Sequence, residues 1–240
     1  MIRGFWTART GLNAQQQRLD TVANNMANVN TTAFKPMRTS FKDLIYQNIN
    51  RPDAQDTAMT GAGVKVNSND ILMTQGPLTA TAREMDMALL VKGDFFALEN
   101  TNGDILYTRS GNFYMHLEDN TTAFLVDGDG NRVLDADGNQ IELAFVDGRF
   151  VFNPADVGVY RFPNAYGLES AGSNTYLESA NSGAPEPVMY PEYTVGYLEG
   201  SGVDIAQEMV NMIEAQRAFT LNARVSQTAD EVEQEINNLR

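Results

Sequence analysis

The chain has 240 residues, 42% of them hydrophobic and 20% charged, the balance of a folded protein with length for two ordinary domains. A net charge of −14 repels nucleic acid and anionic membrane, and no apolar run reaches membrane-spanning length. Cysteine is absent, which excludes disulfides, thiolate nucleophiles and zinc–thiolate sites. The opening MIRGFWTARTGLNAQQQ carries arginines without the apolar core of a cleaved signal peptide, so the expectation is a cytosolic protein or one exported by a route that needs no such signal.

The first predicted element is a helix. With Phe5 at heptad position a, the a and d places hold Phe5, Ala8, Leu12, Gln15, Leu19, Val22, Met26 and Val29. Only Gln15 breaks this apolar seam, and Thr31, Thr32 and Pro36 place its end near residues 30–34. The stretch ANNMANVNTTAFK (23–35) puts Asn24, Asn25 and Asn28 at f, g and c, off the seam. Asparagine is a poor helix former whose amide competes for backbone hydrogen bonds, so these amides are expected to have partners.

Residues 36–70, with RPDAQDTAMTGAGV inside, read as an extended connector with little core of its own. From about 71 to 195 turn dipeptides recur: Asn102-Gly103, Asp127-Gly128, Asp129-Gly130, Asp137-Gly138 and Asp147-Gly148. They separate short β-branched and aromatic runs, which predicts hairpins and an all-β domain. Residues 196–240 complete the pattern with a second helix. Asp204 and Gln207 resemble a capping box, and Ile205, Met209, Met212, Gln216, Phe219 and Ala223 form a seam behind them. The stripe then shifts to Val225, Ala229, Val232, Ile236 and Leu239, so this helix has more than one apolar face to bury.

The ends differ in charge. Residues 1–35 carry Arg3, Arg9, Arg18 and Lys35 against Asp20, whereas 203–240 carry seven acids against Arg217, Arg224 and Arg240. Two such helices should pair, within one chain or between neighbours. The predicted fold class is therefore α+β, with terminal helices (1–35 and 196–240) forming a coiled-coil-like domain around an inserted β domain.

These termini resemble those of the flagellar axial proteins, specifically the basal-body rod family. ANNMANVNTTAFK is similar to that family's N-terminal signature, and GVDIAQEMVNMIEAQRAFTLNARVSQTADEV (202–232) to its C-terminal one. TQGPLTAT (74–81), YTRSGNF (107–113) and the Ser-Gly-x-Pro at 182–185 match in between, and MIRGFWTARTGL with DLIYQ leans toward the distal-rod type. The family often has Gly where this chain has Ala33, and a longer G-x-G-F-F where it has Gly93-Asp94-Phe95-Phe96; both departures put the local path in question.

The resemblance implies a non-enzymatic, cofactor-free structural subunit, located in the flagellar basal body and built into a hollow, torque-transmitting tube. It implies copies of itself, other rod or hook proteins and the flagellar export apparatus as partners, without direct membrane insertion. The implied assembly interface comprises Phe5, Leu12, Leu19, Val22, Asn24, Asn25, Met26, Asn28, Val29, Ile205, Met209, Met212, Gln216, Arg217, Phe219, Val232, Ile236 and Leu239, with the asparagines reaching a neighbour or the lumen. The alternative is an acidic β-domain binding module, calcium-dependent or wall-associated, on a helical dimerisation stalk.

Other chemistry finds little footing. DGDGNRVLDADGNQIE (127–142) suggests a calcium loop, but an EF-hand needs Gly at its sixth place, where Arg132 or Gln140 stands, so paired hairpin turns are expected. His116, the only histidine, reads as a surface strand residue, and Glu84 with Asp86 as a solvated loop. Trp6 stands at b, where it is a candidate anchor for a second interface.

Overall fold

The computed structural model describes residues 2–48, 59–119, 122–146 and 149–239. The Asp147-Gly148 turn, residues 49–58 of the expected connector, the Arg3 side chain and Arg240 lie outside what is described. Two long helices, α1 (Ile2–Ala27) and α2 (Ile205–Asn238), bracket a β-rich middle, so the chain is α+β. It packs as two compact units: Met1–Ala27, Met37–Ile71 and Asp204–Arg240 make one, Asn28–Pro36 and Leu72–Val203 the other.

In the helical unit α1 and α2 run antiparallel. Gly11 lies so close to α2 that a Cβ there would meet the Asn222 amide at 2.8 Å, and Arg18 pairs with Glu214 at 3.1 Å. The α2 start is capped as expected: the Asp204 carboxylate accepts the N–H groups of Ala206 and Gln207 at 2.9 and 3.3 Å. The Gln207 side chain turns forward, its Nε2 donating to Asn211, and does not accept the Asp204 N–H, so half of the capping box forms. The α1 end departs from the expectation. The helix stops at Ala27, because the Thr31 N–H and hydroxyl turn back onto the Asn28 carbonyl and side-chain oxygen at 3.2 and 3.1 Å. Asn28 and Val29, expected at c and d, therefore lie beyond the helix.

The same unit contains a two-stranded ribbon. Met37–Asp43 pairs antiparallel with Val64–Ile71, with an irregularity between Ser40 and Phe41. These residues fall in the expected connector; they are extended, and they pair with each other. The Thr21 and Thr39 hydroxyls are bonded at 2.9 Å, and the Thr10 hydroxyl accepts the Val64 N–H at 3.3 Å, which ties the ribbon to α1.

The β unit centres on a nine-stranded sheet among the described residues. Its middle strand, Asp94–Glu99, pairs with Ile105–Thr108 on one side and with Arg132–Val133 and Val159–Arg161 on the other. Successive side chains point to opposite faces of a strand. Phe95 and Phe96 are both fully buried, so both faces of this strand are covered. Phe96 joins Met87, Leu89, Leu98, Phe113 and Leu125 on one side, with Phe113 edge-on at 5.2 Å. Phe95 joins Phe162 and Tyr176 on the other, and Tyr107 stands edge-on to Phe162 at 4.8 Å. Asp94 is buried opposite Arg161 in the ladder and accepts two guanidinium bonds at 2.6 and 2.9 Å. The shortened family pattern at Gly93-Asp94 thus keeps a defined register. Residues 28–35 and 196–203, grouped with the helices by sequence, belong to this unit because their backbone groups pair within it.

Burial pushes the Tyr107 and Tyr176 phenols up to about 12; the nearby Glu178 adds to the shift at Tyr107, while Arg109 opposes it at Tyr176. A phenol whose folded value exceeds its unfolded value of 10.0 contributes stability fully present below pH 10 and lost as pH rises toward 12. A shift of this size is worth roughly 2–3 kcal/mol per group. These two tyrosines should therefore ionise late, and their contribution to the β unit's stability should fall as pH rises above 10. Tyrosinate absorbance followed alongside circular dichroism checks this, and ordinary ionisation of every tyrosine before unfolding would contradict it.

Candidate assembly interface

The buried face of α1 is not the expected heptad seam. Its buried positions are Ala8, Gly11, Ala14, Thr21, Val22 and Asn25, a mostly small-residue face that lets α2 approach closely. Phe5, Leu12, Leu19 and Met26 flank it half-buried, so only Ala8 and Val22 of the seam are enclosed within one chain. Gln15, the seam's polar break, keeps its side-chain oxygen buried without a hydrogen-bond partner.

On α2 the mismatch is larger. Ala215 is its one buried residue, and Met212 and Phe219 are half-buried. Ile205, Met209, Gln216, Arg217, Val232 and Ile236 are exposed, as are Val210, Ile213, Leu221 and Val225. Met209 is 51% exposed, Leu221 61% and Leu239 89%. Every described residue from 231 to 239 is exposed. Ile213, Gln216, Arg217, Thr220, Leu221 and Arg224 line a shallow hollow of about 430 Å³. The apolar positions predicted for α2 are thus present, in a helix, and mostly without cover from their own chain.

The three asparagines separate into different roles. Asn25 is 1% exposed, and its amide makes a two-pronged pair with the Met37 backbone: Nδ2 donates to the carbonyl at 2.8 Å, and Oδ1 accepts the N–H at 2.9 Å. This corrects the expectation that Asn25 reaches a neighbour or the lumen. Met37 begins a strand, and Asn25 supplies the pairing that a further strand would give. Asn24 is exposed on α1, and Asn28 stands half-buried in the turn that ends it.

A second constellation had no signal in spacing. Glu199, 1% exposed, accepts Lys35 Nζ at 2.5 Å, Arg109 Nε at 2.9 Å and the Gly76 N–H at 2.9 Å. Lys35 closes the N-terminal signature, Arg109 stands in YTRSGNF and Gly76 in TQGPLTAT, so three matched segments meet on one carboxylate. Gly76 must lack a side chain there, because a Cβ would come within 2.1 Å of the Gly200 carbonyl oxygen. Burial draws the Lys35 ammonium below its ordinary value, against the attraction of Glu199. Two residues earlier, Ala33 adopts the left-handed region at φ 56° while its N–H bonds the Glu199 carbonyl at 2.8 Å. The chain takes a turn suited to Gly despite carrying Ala.

The remaining candidates resolve simply. Asp127 and Asp135 each accept two backbone N–H groups and an asparagine amide within their own loops, as hairpin turns. His116 is exposed on the strand Tyr114–Leu117. Glu84 is exposed, but Asp86 is buried with Arg83 at 3.4 Å, so this acid is not solvated as expected; its N–H and carbonyl are held by Arg83 and Gly196. Trp6 is exposed with Arg9 over its ring at 5.2 Å.

Comparison with known proteins bears on all three signature regions. Residues 5–35 match the family described as flagella basal body rod protein, residues 90–153 the flagellar hook protein FlgE/F/G D1 domain, and residues 194–239 the flagellar basal body rod FlgEFG protein C-terminal region. The chain is 34% identical to the flagellar basal-body rod protein FlgG of Bacillus subtilis, covering all of both chains. It is 35% identical to FlgG of Borreliella burgdorferi, over all of this chain and 99% of the relative. The chain belongs to the flagellar basal-body rod protein family. A B. subtilis protein named flagellar hook-basal body complex protein FlhP is also similar, at 29% identity over the full length of both. The rod-protein region at 5–35 runs from α1 through Lys35, and the C-terminal region takes in Glu199 and all of α2.

Asn25→Ala should cost about 2–3 kcal/mol in denaturant unfolding, because it strands the Met37 N–H and carbonyl in a buried site. At the left-handed position Ala33→Gly should be neutral or mildly stabilising, while Ala33→Val should cost more than about 2 kcal/mol. An unaffected Ala33→Val protein would contradict the turn geometry.

Proposed function

We infer that this protein is a structural subunit of the bacterial flagellar basal-body rod and associates with other rod or hook proteins there. The observation that carries the reading is similarity to rod proteins along the whole chain, with both terminal segments and the middle matched in order. Its role is mechanical rather than enzymatic. Among the described residues no helix is long and apolar enough to cross a membrane.

We further propose that copies join through α1 and α2 into the wall of a hollow tube, in the distal part of the rod. The helix positions that support this are Phe5, Leu12, Leu19, Met26, Met209, Leu221 and Ile236, which stand half-buried or exposed in one chain. Full burial of such a side chain is worth about 1.5–3 kcal/mol, so even a few of them make a neighbour worth binding. Basic α1 and acidic α2 add partner selectivity at about 0.2–1 kcal/mol per exposed pair, the scale of Arg18–Glu214. Asn24 and Asn28 stand at or just beyond the end of α1, where the contacts between copies are proposed. The cysteine-free composition suits threading through the flagellar export channel as an unfolded chain. The binding-module alternative has no comparable support.

Leu221→Glu and Val225→Glu, made together, should abolish polymerisation of the purified protein and leave the melting of the β unit within about 0.5 kcal/mol of wild type. Asn24→Ala with Asn28→Ala should weaken polymerisation and spare the β fold. Sedimentation and electron microscopy read the first effect, near-ultraviolet circular dichroism the second. Filaments from the double glutamate variant that match wild type would remove α2 from the interface.

A further inference from the structure

The charge cluster on Glu199 lies within the β unit, on the segments that follow α1 and precede α2 in sequence, and its bonds form a sequence of fastenings. Arg109 is pinned to the sheet by Nη1 bonds to the Val91 and Asp94 carbonyls, each at 2.9 Å, and by Nη2 to Leu89 at 3.3 Å. Its Nε holds the Glu199 carboxylate, which in turn holds Lys35. Lys35 donates a second bond to the Thr74 carbonyl at 2.8 Å. Backbone pairing runs alongside: Ala33 N–H to the Glu199 carbonyl at 2.8 Å, and Gly202 N–H to the Phe34 carbonyl at 2.9 Å. The segment just after α1 and the segment just before α2 are therefore laced together, main chain and side chain, on the β unit. Arg109 also ties the cluster to the apolar core, because Leu89, whose carbonyl it bonds, is a core residue.

We propose that Glu199 is a positioning residue for assembly, whose carboxylate locks the segments bearing the two helices into one joint before any neighbour docks. One carboxylate serves two buried cations, so removing it would leave Lys35 and Arg109 facing each other unpaired. Removing Lys35 instead leaves Glu199 with Arg109 and Gly76, a gentler loss that frees the N-terminal strand of the joint. The link to assembly rests on the rod-subunit reading; the joint itself does not.

Amide hydrogen exchange on the full-length monomer, with and without Lys35→Met, tests the proposal. In the wild type, Ala33 and Gly202 should exchange as slowly as Leu134, whose N–H is bonded to Ala97 inside the sheet. Lys35→Met should speed Ala33 and Gly202 by at least about tenfold, leave Leu134 unchanged and slow seeded polymerisation by a similar factor. Wild-type exchange at Ala33 and Gly202 at the rate of an exposed loop would overturn the joint. A Lys35→Met protein that polymerises as fast as a polymerising wild type would overturn the positioning role, and so would one that loses protection at Leu134 as well, since the cluster would then serve only the stability of the core. A wild-type chain that never polymerises defeats the rod reading and leaves the joint to be judged on exchange alone.

Discussion

The carboxylate of Glu199 fastens the segment after α1 to the segment before α2 within the β unit. Burying an anion with two cations is costly, because each ion leaves its hydration behind and recovers it only through well-made contacts. Here Lys35, Arg109 and the Gly76 N–H surround the acid, and four main-chain carbonyls accept further bonds from the two cations. An apolar cluster of the same size would hold these segments less specifically, since the hydrophobic effect has no direction. Ionic geometry has direction, and it accepts one register between residue 35 and residue 199. That register brings the left-handed turn at Ala33 under the strand that leads to α2.

The helical unit divides its labour by residue size. Gly11 lets α2 come close, and the buried helix positions Ala8, Ala14 and Ala215 are small as well. The larger apolar residues flank that contact or point away from it. Isolated amphipathic helices are marginal in water and draw their stability from what they pack against. A pair that spends its small residues on itself and leaves Met209, Leu221, Val225 and Ile236 exposed is suited to gaining further stability from neighbours. Asn25 and the Thr21–Thr39 contact attach α1 to the ribbon through polar groups that a purely apolar seam could not have supplied.

The β unit is complete by comparison. Phe95 and Phe96 anchor separate clusters on the two faces of the central strand, and Asp94 with Arg161 fixes the register at its end. The Asp127 and Asp135 carboxylates are consumed by their own loops, as turn chemistry. What the unit offers is a packed body on which two chain segments are fastened.

Sequence alone determined the order of elements, because helical and strand periodicities are local and the Asp-Gly and Asn-Gly turns are chemically distinctive. It also determined the family, through Asn24–Lys35 and the segment 202–232, and the Asp204 cap, which depends on residues two and three positions away. It did not determine which face of α1 is buried. Phe5, Leu12 and Leu19 outweigh Ala8, Gly11 and Ala14 in any hydrophobic pattern, yet close approach between helices selects the small residues. The partner of Asn25 lies twelve residues on, across a turn, and Lys35 finds Glu199 164 residues away. Neither pairing leaves a periodic trace. A buried charge is legible only once folding has brought its counter-charge beside it, so the tertiary structure alone decided the joint.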